Sequence, residues 1–282
     1  MDTLPGDGTA PVAAAVPGPG PEEAIMTDAT PYVVGENPGA NPSRIDPRDW
    51  YASQLTATLP PGEAGAPPPL ASADVPLGPT LLQSGGSCVA FGFAGALQHA
   101  LWTILGRWIS LEVLEFFGNG GGNLTYGWEI AQALAFAKSR GIYVVTPGAP
   151  LTKLVKVQAY YRVAPTLPDC EVAIYQGTRH KGWSPLLWET AWPNQWFAPA
   201  KGTGLLEPGA RDAMYGHLTY LWRYVPRIYG AEGVVLQGRN SWGTDWGIGG
   251  GNYSVQGSDV LAPELRWGLW QFTVDPSSVE GL

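Results

Sequence analysis

The pattern of hydrophobic and polar positions divides the chain into a front segment without periodicity and a body with regular elements. From residue 1 to about 76 the sequence is rich in Pro, Gly and Ala, as in "GPGPEE" and "PPGEAGAPPPL", and no hydrophobic period recurs. Such a composition favours extended or disordered backbone. The pattern therefore predicts an N-terminal arm over residues 1–76 and a folded domain over residues 77–282.

The first half of the body has the pattern of helices. The stretch "SCVAFGFAGALQHALWTIL", residues 87–105, is apolar on nearly every face and follows a Gly-Gly turn, which predicts a helix buried all round with Ser87 as its N-cap. Two more helices are expected, at "SLEVLEFF" with Ser110 as cap and at "LTYGWEIAQALAFAKSR", ended by Gly141. A helical half is therefore predicted over about residues 81–141.

Beyond Gly141 the pattern changes to that of β-strands. Short β-branched and aromatic runs alternate with turn residues. These runs are "IYVV", "KVQAYYRVA", "CEVAIYQG", "HLTYLWRYV", "GVVLQGRN" and "LRWGLWQFTV". Helices followed by strands are typical of an α+β fold with segregated halves, so an antiparallel β half is expected over about residues 142–275. A cleft between two such halves is a common place for a site.

One segment fits neither pattern. The stretch "KGWSPLLWETAWPNQWFAPAKGTG", residues 181–204, has the character of an insertion with four tryptophans. Three of them, Trp188, Trp192 and Trp196, recur at a spacing of four, which would align them on a helix, but Pro193 opposes helical continuity. Exposed, they would form an interaction or sugar-stacking platform. The alternative, which we favour, is that they pack the segment against the body.

The acidic charge of the chain lies in its front part. Residues 1–80 hold 16 of the 27 prolines and ten acidic residues against two basic ones, whereas the remaining residues hold fourteen acidic and fourteen basic residues. A near-neutral body with an acidic arm has no basic surface for nucleic acid or for an anionic membrane. We therefore expect neither nucleic acid nor a membrane as a partner.

The N-terminal sequence, "MDTLPGDGTAPVAAAVPGPGPEEA", lacks the basic start and apolar core of a secretory signal. No later run is expected to reach the roughly 18 apolar residues of a membrane span. The expected location is therefore cytoplasmic or virion-associated. Two cysteines, Cys88 and Cys170, cannot form a disulfide framework, although a single bridge between them stays open as an alternative.

The candidate chemistry begins with Cys88, at the first turn of the predicted buried helix. The free amides and dipole of a helix N-terminus stabilise a thiolate, so the thiol pKa is expected below its usual value of about 8.5. The alternative is that Cys88 is a small buried hydrophobic residue, and a histidine partner would decide between the two. His99 is excluded as that partner, because it lies about three helical turns along the same helix.

His217 is the stronger candidate for that partner. If residues 217–224 and 233–240 form one hairpin, symmetric pairing sets His217 opposite Asn240, with Cβ atoms about 4.5–5.5 Å apart. Asn240 would then hold one ring nitrogen and turn the other toward Cys88. A nucleophile, a base and an orienting group are the three parts of covalent acyl transfer.

The motifs around these residues resemble those of papain-like cysteine peptidases. The resemblance is carried by "QSGGSCVAFGFAGAL", then "GH", then "NSWGTDWGIGG", and covers about residues 77–275. "GNGGG", residues 118–122, is similar to the substrate-binding loop of the family, and "CEVAIYQG" to a strand that follows it. Gln83 lies five residues before Cys88, one fewer than is usual in the family.

The resemblance implies a role for each matched residue. Cys88 would be the nucleophile, His217 the general base and then acid, and Asn240 the orienting group. Gln83 and the amide of Cys88 would form the oxyanion hole. Three further residues would serve the substrate and the site: Gly120 and Gly121 by main-chain hydrogen bonds to an extended peptide, and Trp242 by covering the bond between Asn240 and His217. Cys170 matches no catalytic position and is expected to be a core or free thiol.

The expected function is hydrolysis of peptide bonds in a protein or peptide substrate through an acyl-enzyme, with no cofactor and no metal. One alternative is a structural or assembly protein of a phage particle that uses this fold, with the arm tying it to neighbouring virion subunits. A third is a carbohydrate-binding module built on the tryptophan-rich segment.

Overall fold

The structure is a computed structural model, and it describes residues 40–42, 76–226 and 228–282. Helices and strands alternate along this part of the chain. Apart from residues 40–42 and Pro76, the predicted arm lies outside the described residues. The helices are α1 (Cys88–Leu105), α2 (Val113–Asn119), α3 (Ile130–Ser139), α4 (Leu167–Arg179) and α5 (Gly257–Leu261). The strands are β1 (Ala40–Asn41), β2 (Ser110–Leu111), β3 (Trp128–Glu129), β4 (Ile142–Val145), β5 (Leu154–Val155), β6 (Val157–Arg162), β7 (Leu186–Pro193), β8 (Ala213–Val225), β9 (Val235–Arg239), β10 (Asn252–Gln256) and β11 (Arg266–Val274).

The helix α1 is the central buried helix that its apolar sequence predicts. It is buried from Cys88 to Leu101 and ends at Gly106, whose φ of 67° is a left-handed conformation that favours glycine. Ser87 occupies the N-cap position, but its hydroxyl donates to the carbonyl of Ser84 instead of capping the helix. Contrary to our expectation, this helix is long and apolar enough to cross a membrane. Because 78% of it is buried inside the protein, it has the character of a core helix.

A six-stranded antiparallel sheet forms the β half. Its strand order is β10-β9-β8-β7-β11-β6, and all five pairings are antiparallel. A smaller antiparallel sheet has the order β2-β4-β5, and the two-residue strands β1 and β3 pair in parallel. The predicted α+β class, with a central buried helix and an antiparallel sheet, is confirmed.

The large sheet separates two apolar layers. On one side Leu187 and Leu218 pack with α1, α2 and α3, and on the other Leu186 and Leu221 pack with α4 and a group of tryptophans. The helix α1 approaches β8 closely because Gly92 has no side chain: a Cβ there would lie 2.8 Å from the carbonyl oxygen of Leu218. This contact fixes the first turns of α1 against β8.

The run "CEVAIYQG", predicted as a strand, belongs to the helix α4. The hydroxyl of Thr166 caps this helix by accepting from the amide of Asp169, and a proline lies in its first turn. Its buried positions recur at helical spacing: Cys170, Ala173, Ile174 and Gly177. The prediction was wrong because the cap and this spacing outweigh the β-propensity of a short apolar run. A helix therefore lies inside the half that was predicted to be β.

The tryptophan-rich segment is not an insertion. It contains the whole of β7, which pairs with β8 on one side and β11 on the other. Trp188, Trp192 and Trp196 are each 0% exposed, and their rings pack against one another. The exposed platform, and the carbohydrate-binding alternative built on it, are therefore wrong, and packing against the body is confirmed. All eight residues of β7 are buried, as in a strand covered on both faces.

Two helices of the helical half begin later than predicted. The helix α2 begins at Val113, because Ser110–Leu111 pairs as a strand and Ser110 is not a cap. The helix α3 begins at Ile130, because Trp128–Glu129 pairs with β1. In both places, residues that are predicted to form the first helical turn instead form a strand paired with a distant segment. Gly141 follows α3 as predicted, with a φ of 88°.

Candidate active site

His217 and Asn240 lie side by side in the buried interior of the β half. Nε2 of His217 and Oδ1 of Asn240 are 2.8 Å apart. The same Oδ1 accepts from the amide of Ser241 at 2.7 Å, so Nε2 of His217 must be the donor. A neutral His217 therefore carries its proton on Nε2. Its other nitrogen, Nδ1, is buried and has no hydrogen-bond partner among the described residues.

The strand register that leads to this pair differs from the predicted one. The prediction pairs His217 directly with Asn240, whereas Tyr220 pairs with Arg239, and β9 ends at that residue. An irregularity at Trp222 also shifts the register along the ladder. The side chain of Asn240 thus reaches His217 from just past the end of a strand, not from a directly opposed position.

Two indole rings hold the imidazole of His217. The centroids of Trp192 and Trp242 each lie 4.8 Å from that of His217, the first ring edge-on and the second tilted by 30°. Burial lowers the pKa of His217 to about 3, and the hydrogen bond to Asn240 opposes this only in part. In this arrangement His217 is uncharged at neutral pH. Trp242 packs on the histidine ring, so its covering role is compatible with its place.

The thiol of Cys88 lies beside the main chain of Leu218, the residue directly after His217, and hydrogen-bonds to it. Burial raises the pKa of this thiol far above its usual range, and the hydrogen bond to Leu218 offsets only part of the rise. The predicted lowering of this pKa is therefore wrong for this state of the molecule. Cys88 is 0% exposed, and the loss of water outweighs the helix N-terminus.

Gln83 joins the segment before α1 to the loop that carries Asn240. Its Oε1 accepts from the hydroxyl of Ser241 at 2.7 Å, and its Nε2 donates to the carbonyl of Gly85 at 3.0 Å. Its main-chain amide also donates to the carbonyl of Ser241 at 2.8 Å. Because a side-chain amide has two N–H groups, one remains after the bond to Gly85. Gln83 is thus part of the cluster around Asn240, and its oxyanion role stays a prediction.

The glycine-rich loop after α2 forms hydrogen bonds within its own turn, and the substrate-binding role of Gly120 and Gly121 stays a prediction. The amides of Gly120 and Gly121 donate to the carbonyls of Phe116 and Gly118 within their own turn, so they are not free to donate to a substrate main chain. The edge that does pair with an extended segment is Trp128–Glu129. The structure does not bring Gly120 and Gly121 into hydrogen bonds with the cluster around His217.

Ala40 lies on β8 at the residue immediately before His217. A Cβ built on Gly216 would lie 1.8 Å from the carbonyl oxygen of Ala40, so only glycine leaves room for this contact. The same segment, Ala40–Asn41, pairs in parallel with Trp128–Glu129 of the helical half. It therefore extends from the helical half to β8, and Ala40 is itself buried.

Two residues of the cluster were not found from the sequence. Ser241, which ties Gln83 to the Asn240 loop, had only its position after Asn240 as a signal. Trp192, whose ring packs against His217, falls in a segment predicted to be an insertion, although its apolar run is typical of a buried strand. Cys88 and Cys170 are both buried and free, so the alternative of a bridge between them is wrong. Among the described residues, no three His, Cys, Asp or Glu side chains form a group that could hold a metal ion.

Comparison with known proteins gives matches in structure but not in sequence. No protein-family model matches the chain, and no curated protein matches it significantly. A crystal structure of xylellain, a cysteine protease from Xylella fastidiosa, matches with a TM-score of 0.64 and 19% identity, covering 83% of this chain and 95% of that one.

Two other solved structures match over 71% of this chain. Procathepsin B S9 from Trypanosoma congolense has a TM-score of 0.54 and 13% identity, with 73% of that chain covered. The bromelain protease from Ananas comosus, in complex with the E64 inhibitor, has a TM-score of 0.53 and 16% identity, with 94% of that chain covered. The chain therefore has the fold of the papain-like cysteine proteases.

Proposed function

We propose that this protein is a cysteine peptidase that hydrolyses peptide bonds through an acyl-enzyme on Cys88. The observation that carries the proposal is the state of His217. Its Nε2 is engaged by Asn240, while its Nδ1 is buried and has no hydrogen-bond partner among residues 40–42, 76–226 and 228–282. The thiol of Cys88 hydrogen-bonds to the next residue along the main chain. With Nε2 engaged, Nδ1 of His217 is the ring nitrogen that can accept a proton from the nearby thiol.

In the proposed reaction, Nδ1 of His217 takes the proton of the Cys88 thiol while the sulfur bonds to the carbonyl carbon of the substrate. Collapse of the tetrahedral intermediate breaks the C–N bond, and Nδ1–H gives its proton to the leaving amine. A water molecule, deprotonated by the same nitrogen, then cleaves the thioester and restores the thiol. Gln83 and the amide of Cys88 are the proposed oxyanion donors, each typically worth about 2.7–4 kcal/mol.

The segment at Ala40 bears directly on this reaction. Ala40 lies against Gly216, the residue before His217, and in this state burial keeps both the thiol and the imidazole uncharged. A substrate that lies along the same strand needs the space that Ala40 occupies. We therefore propose that turnover requires this segment to move, and that water then reaches Cys88 and favours its ionised form.

The test is the alkylation rate of Cys88 by iodoacetamide between pH 5 and 10, in the full chain with Cys170→Ser to remove the second thiol. We expect slow reaction in this background. Ala40→Glu sets a charge at a buried position and should lift the segment from Gly216. We expect this variant to react at least about ten times faster at pH 7, and His217→Ala to abolish the gain.

The same samples are then incubated with a mixture of unrelated peptides, and the products are identified by mass. Cleavage that disappears in Cys88→Ala supports the proposal. If Cys88 stays inert in both backgrounds and no peptide is cleaved, the peptidase proposal fails. The assembly alternative would then take its place, and its signature would be a defined oligomer that depends on residues 1–76.

A further inference from the structure

The strand β9 ends at a buried cation beside the candidate active site. Arg239 is 6% exposed and lies directly before Asn240. An arginine is seldom buried to this extent unless an anion pairs with its charge. No carboxylate among residues 40–42, 76–226 and 228–282 forms an ion pair with Arg239. The described part of the chain therefore leaves this positive charge without compensation.

Hydrogen bonds satisfy only part of the guanidinium group of Arg239. Its Nη2 donates to the hydroxyl of Thr80, and its side chain also hydrogen-bonds with Tyr220, its pairing partner on β8. Its Nε and Nη1 are buried and have no hydrogen-bond partner in the part of the chain that the structure describes. A guanidinium has N–H donors and no acceptor, so these two atoms need a further acceptor. Leaving a buried donor unpaired is costly, most of all for a charged group.

The oxygen atoms that Arg239 contacts are neutral. Thr80 offers an uncharged hydroxyl. Burial raises the pKa of Tyr220 to about 12, and the nearby charge of Arg239 opposes this rise only in part, so the phenol keeps its proton at neutral pH. A neutral oxygen accepts a hydrogen bond but adds no negative charge. The partner that this site still requires is therefore an anion.

A small cavity adjoins Arg239 between the large sheet and α1. Arg239 and Tyr220 line it from the sheet, and Gly92 and Gly95 line it from α1. The other lining residues are Pro79, Leu81, Phe91, Asn240 and Ser241. The cavity has room for about one particle of the size of a water molecule. A phosphate, a sulfate or a carboxylate side chain is too large for this space, so the anion that suits it consists of a single atom.

We propose that this cavity is a halide site, in which a chloride ion binds to the guanidinium of Arg239. The ion supplies the negative charge and the acceptor that the buried side chain lacks. Leu81 and Ser241 line the same cavity, so the ion lies between the segment that carries Gln83 and the loop that carries Asn240. The site goes beyond the proposed peptidase function and is independent of the reactivity of Cys88.

The test is the Tm of the full chain in sodium chloride and in sodium gluconate at the same ionic strength. Equal ionic strength removes the effect of charge screening, and gluconate is too large for the cavity. A ligand that binds only the folded state raises its stability as the ligand concentration rises. At about 200 mM salt we expect a Tm at least about 3 °C higher in chloride, with bromide acting in the same way.

Two variants assign this effect to its site. Arg239→Met keeps the length of the side chain and removes its charge, and should have the same Tm in chloride as in gluconate. Arg162→Met is the matched control, because Arg162 is 7% exposed, stacks on Trp270 and does not line the cavity. Both substitutions are expected to lower stability, but Arg162→Met should keep the difference between the two salts that the wild type shows.

A second measurement does not depend on the folding of Arg239→Met. Crystals of the wild-type protein are grown in sodium bromide, and the anomalous signal of bromine locates the bound ions. We expect a bromide ion in the cavity, at hydrogen-bond distance from Nε or Nη1 of Arg239.

Three outcomes overturn the proposal. The first is a water molecule in place of bromide in the cavity. The second is bromide at crystal concentration only, with equal Tm values in chloride and gluconate. The third is a Tm difference that survives in Arg239→Met, which would assign the halide effect to another part of the chain. None of these results bears on the peptidase proposal, which the alkylation of Cys88 and the cleavage of peptides test separately.

Discussion

Two histidines of this chain are buried in different chemical surroundings. His99, in the middle of α1, is 1% exposed, and neither of its ring nitrogens has a hydrogen-bond partner among the described residues. His217 is 0% exposed, but one nitrogen is held by Asn240 and its ring lies between two indoles. Burial lowers the pKa of both, to about 4 for His99 and about 3 for His217.

The comparison shows that burial alone does not make a histidine a base. Both rings are kept neutral, but of these two only His217 has a fixed tautomer, a fixed orientation and a thiol beside the next residue of its strand. His99 has the apolar surroundings without the polar partner. The difference between a core histidine and a candidate catalytic one is therefore the single bond to Asn240 and the position of Cys88.

The largest expected effect separates the two residues directly. His217→Gln should lower kcat/KM for a cleaved peptide by at least about 10³-fold, because proton transfer from and to Cys88 is lost. His99→Gln should leave the activity per folded molecule close to that of the wild type. The folded concentration of each variant is measured by circular dichroism. Equal losses in both variants would refute the assignment of the base.

The second prediction removes the hydrogen-bond partner that distinguishes His217 from His99. Asn240→Ala removes the acceptor of Nε2, so the ring is free to rotate and to change tautomer. We expect kcat to fall about 10²-fold with little change in KM, since the substrate contacts stay. Asn252→Ala is the control, because its side chain donates to the carbonyl of Gly249, three residues away. A change in KM with unaltered kcat would argue against an orienting role.

The third prediction concerns the indole against His217. Trp192→Phe shortens a fully buried ring and should lower the free energy of unfolding by about 2 kcal/mol. Because water can then approach, the pKa of His217 should rise toward 6.5, which an NMR titration of the imidazole protons measures. Trp196→Phe is a matched control, since it is equally buried and packs on Trp192. It should lower stability by a similar amount and leave the His217 titration in place.

The smallest expected effect is the acid sensitivity due to His99. Above pH 6.5 this histidine is neutral in both the folded and the unfolded chain, so it adds nothing to the pH dependence of stability. Between pH 6.5 and about 4 the unfolded chain takes up a proton that the folded one excludes, and stability falls as the pH falls.

His99→Leu should remove that loss. The difference in unfolding free energy between pH 7.5 and pH 5 should shrink by about 1–2 kcal/mol, as measured by urea denaturation at both pH values. An unchanged difference would mean that His99 accepts a proton in the folded state.

Features set by local sequence could be predicted. The helix α1 follows from an apolar run bounded by glycines, and the long strand β8 from its aromatic and β-branched residues. The motifs around Cys88, His217 and Asn240 lie within short segments, so their residues could be selected before any fold was known. Their catalytic roles remain predictions.

Features set by distant contacts could not be predicted. The strand β7 looked like an insertion because its burial on both faces depends on two other strands. The register that positions Asn240 depends on an irregularity at Trp222. The thiol of Cys88 is fully buried by the folded chain, which the local helix signal does not reveal.

The two sets of contacts that build the candidate site also differ in how far they reach along the chain. His217 and Asn240 are separated by 23 positions, a distance that a hairpin and its following loop can close early in folding. Gln83 and Ser241 are separated by 158 positions, so the segment before α1 joins the sheet only after a long loop has closed. During refolding we therefore expect the oriented histidine to form before the thiol reaches it. A molecule trapped before that last step would have His217 already oriented by Asn240, but the thiol of Cys88 would not yet lie beside it.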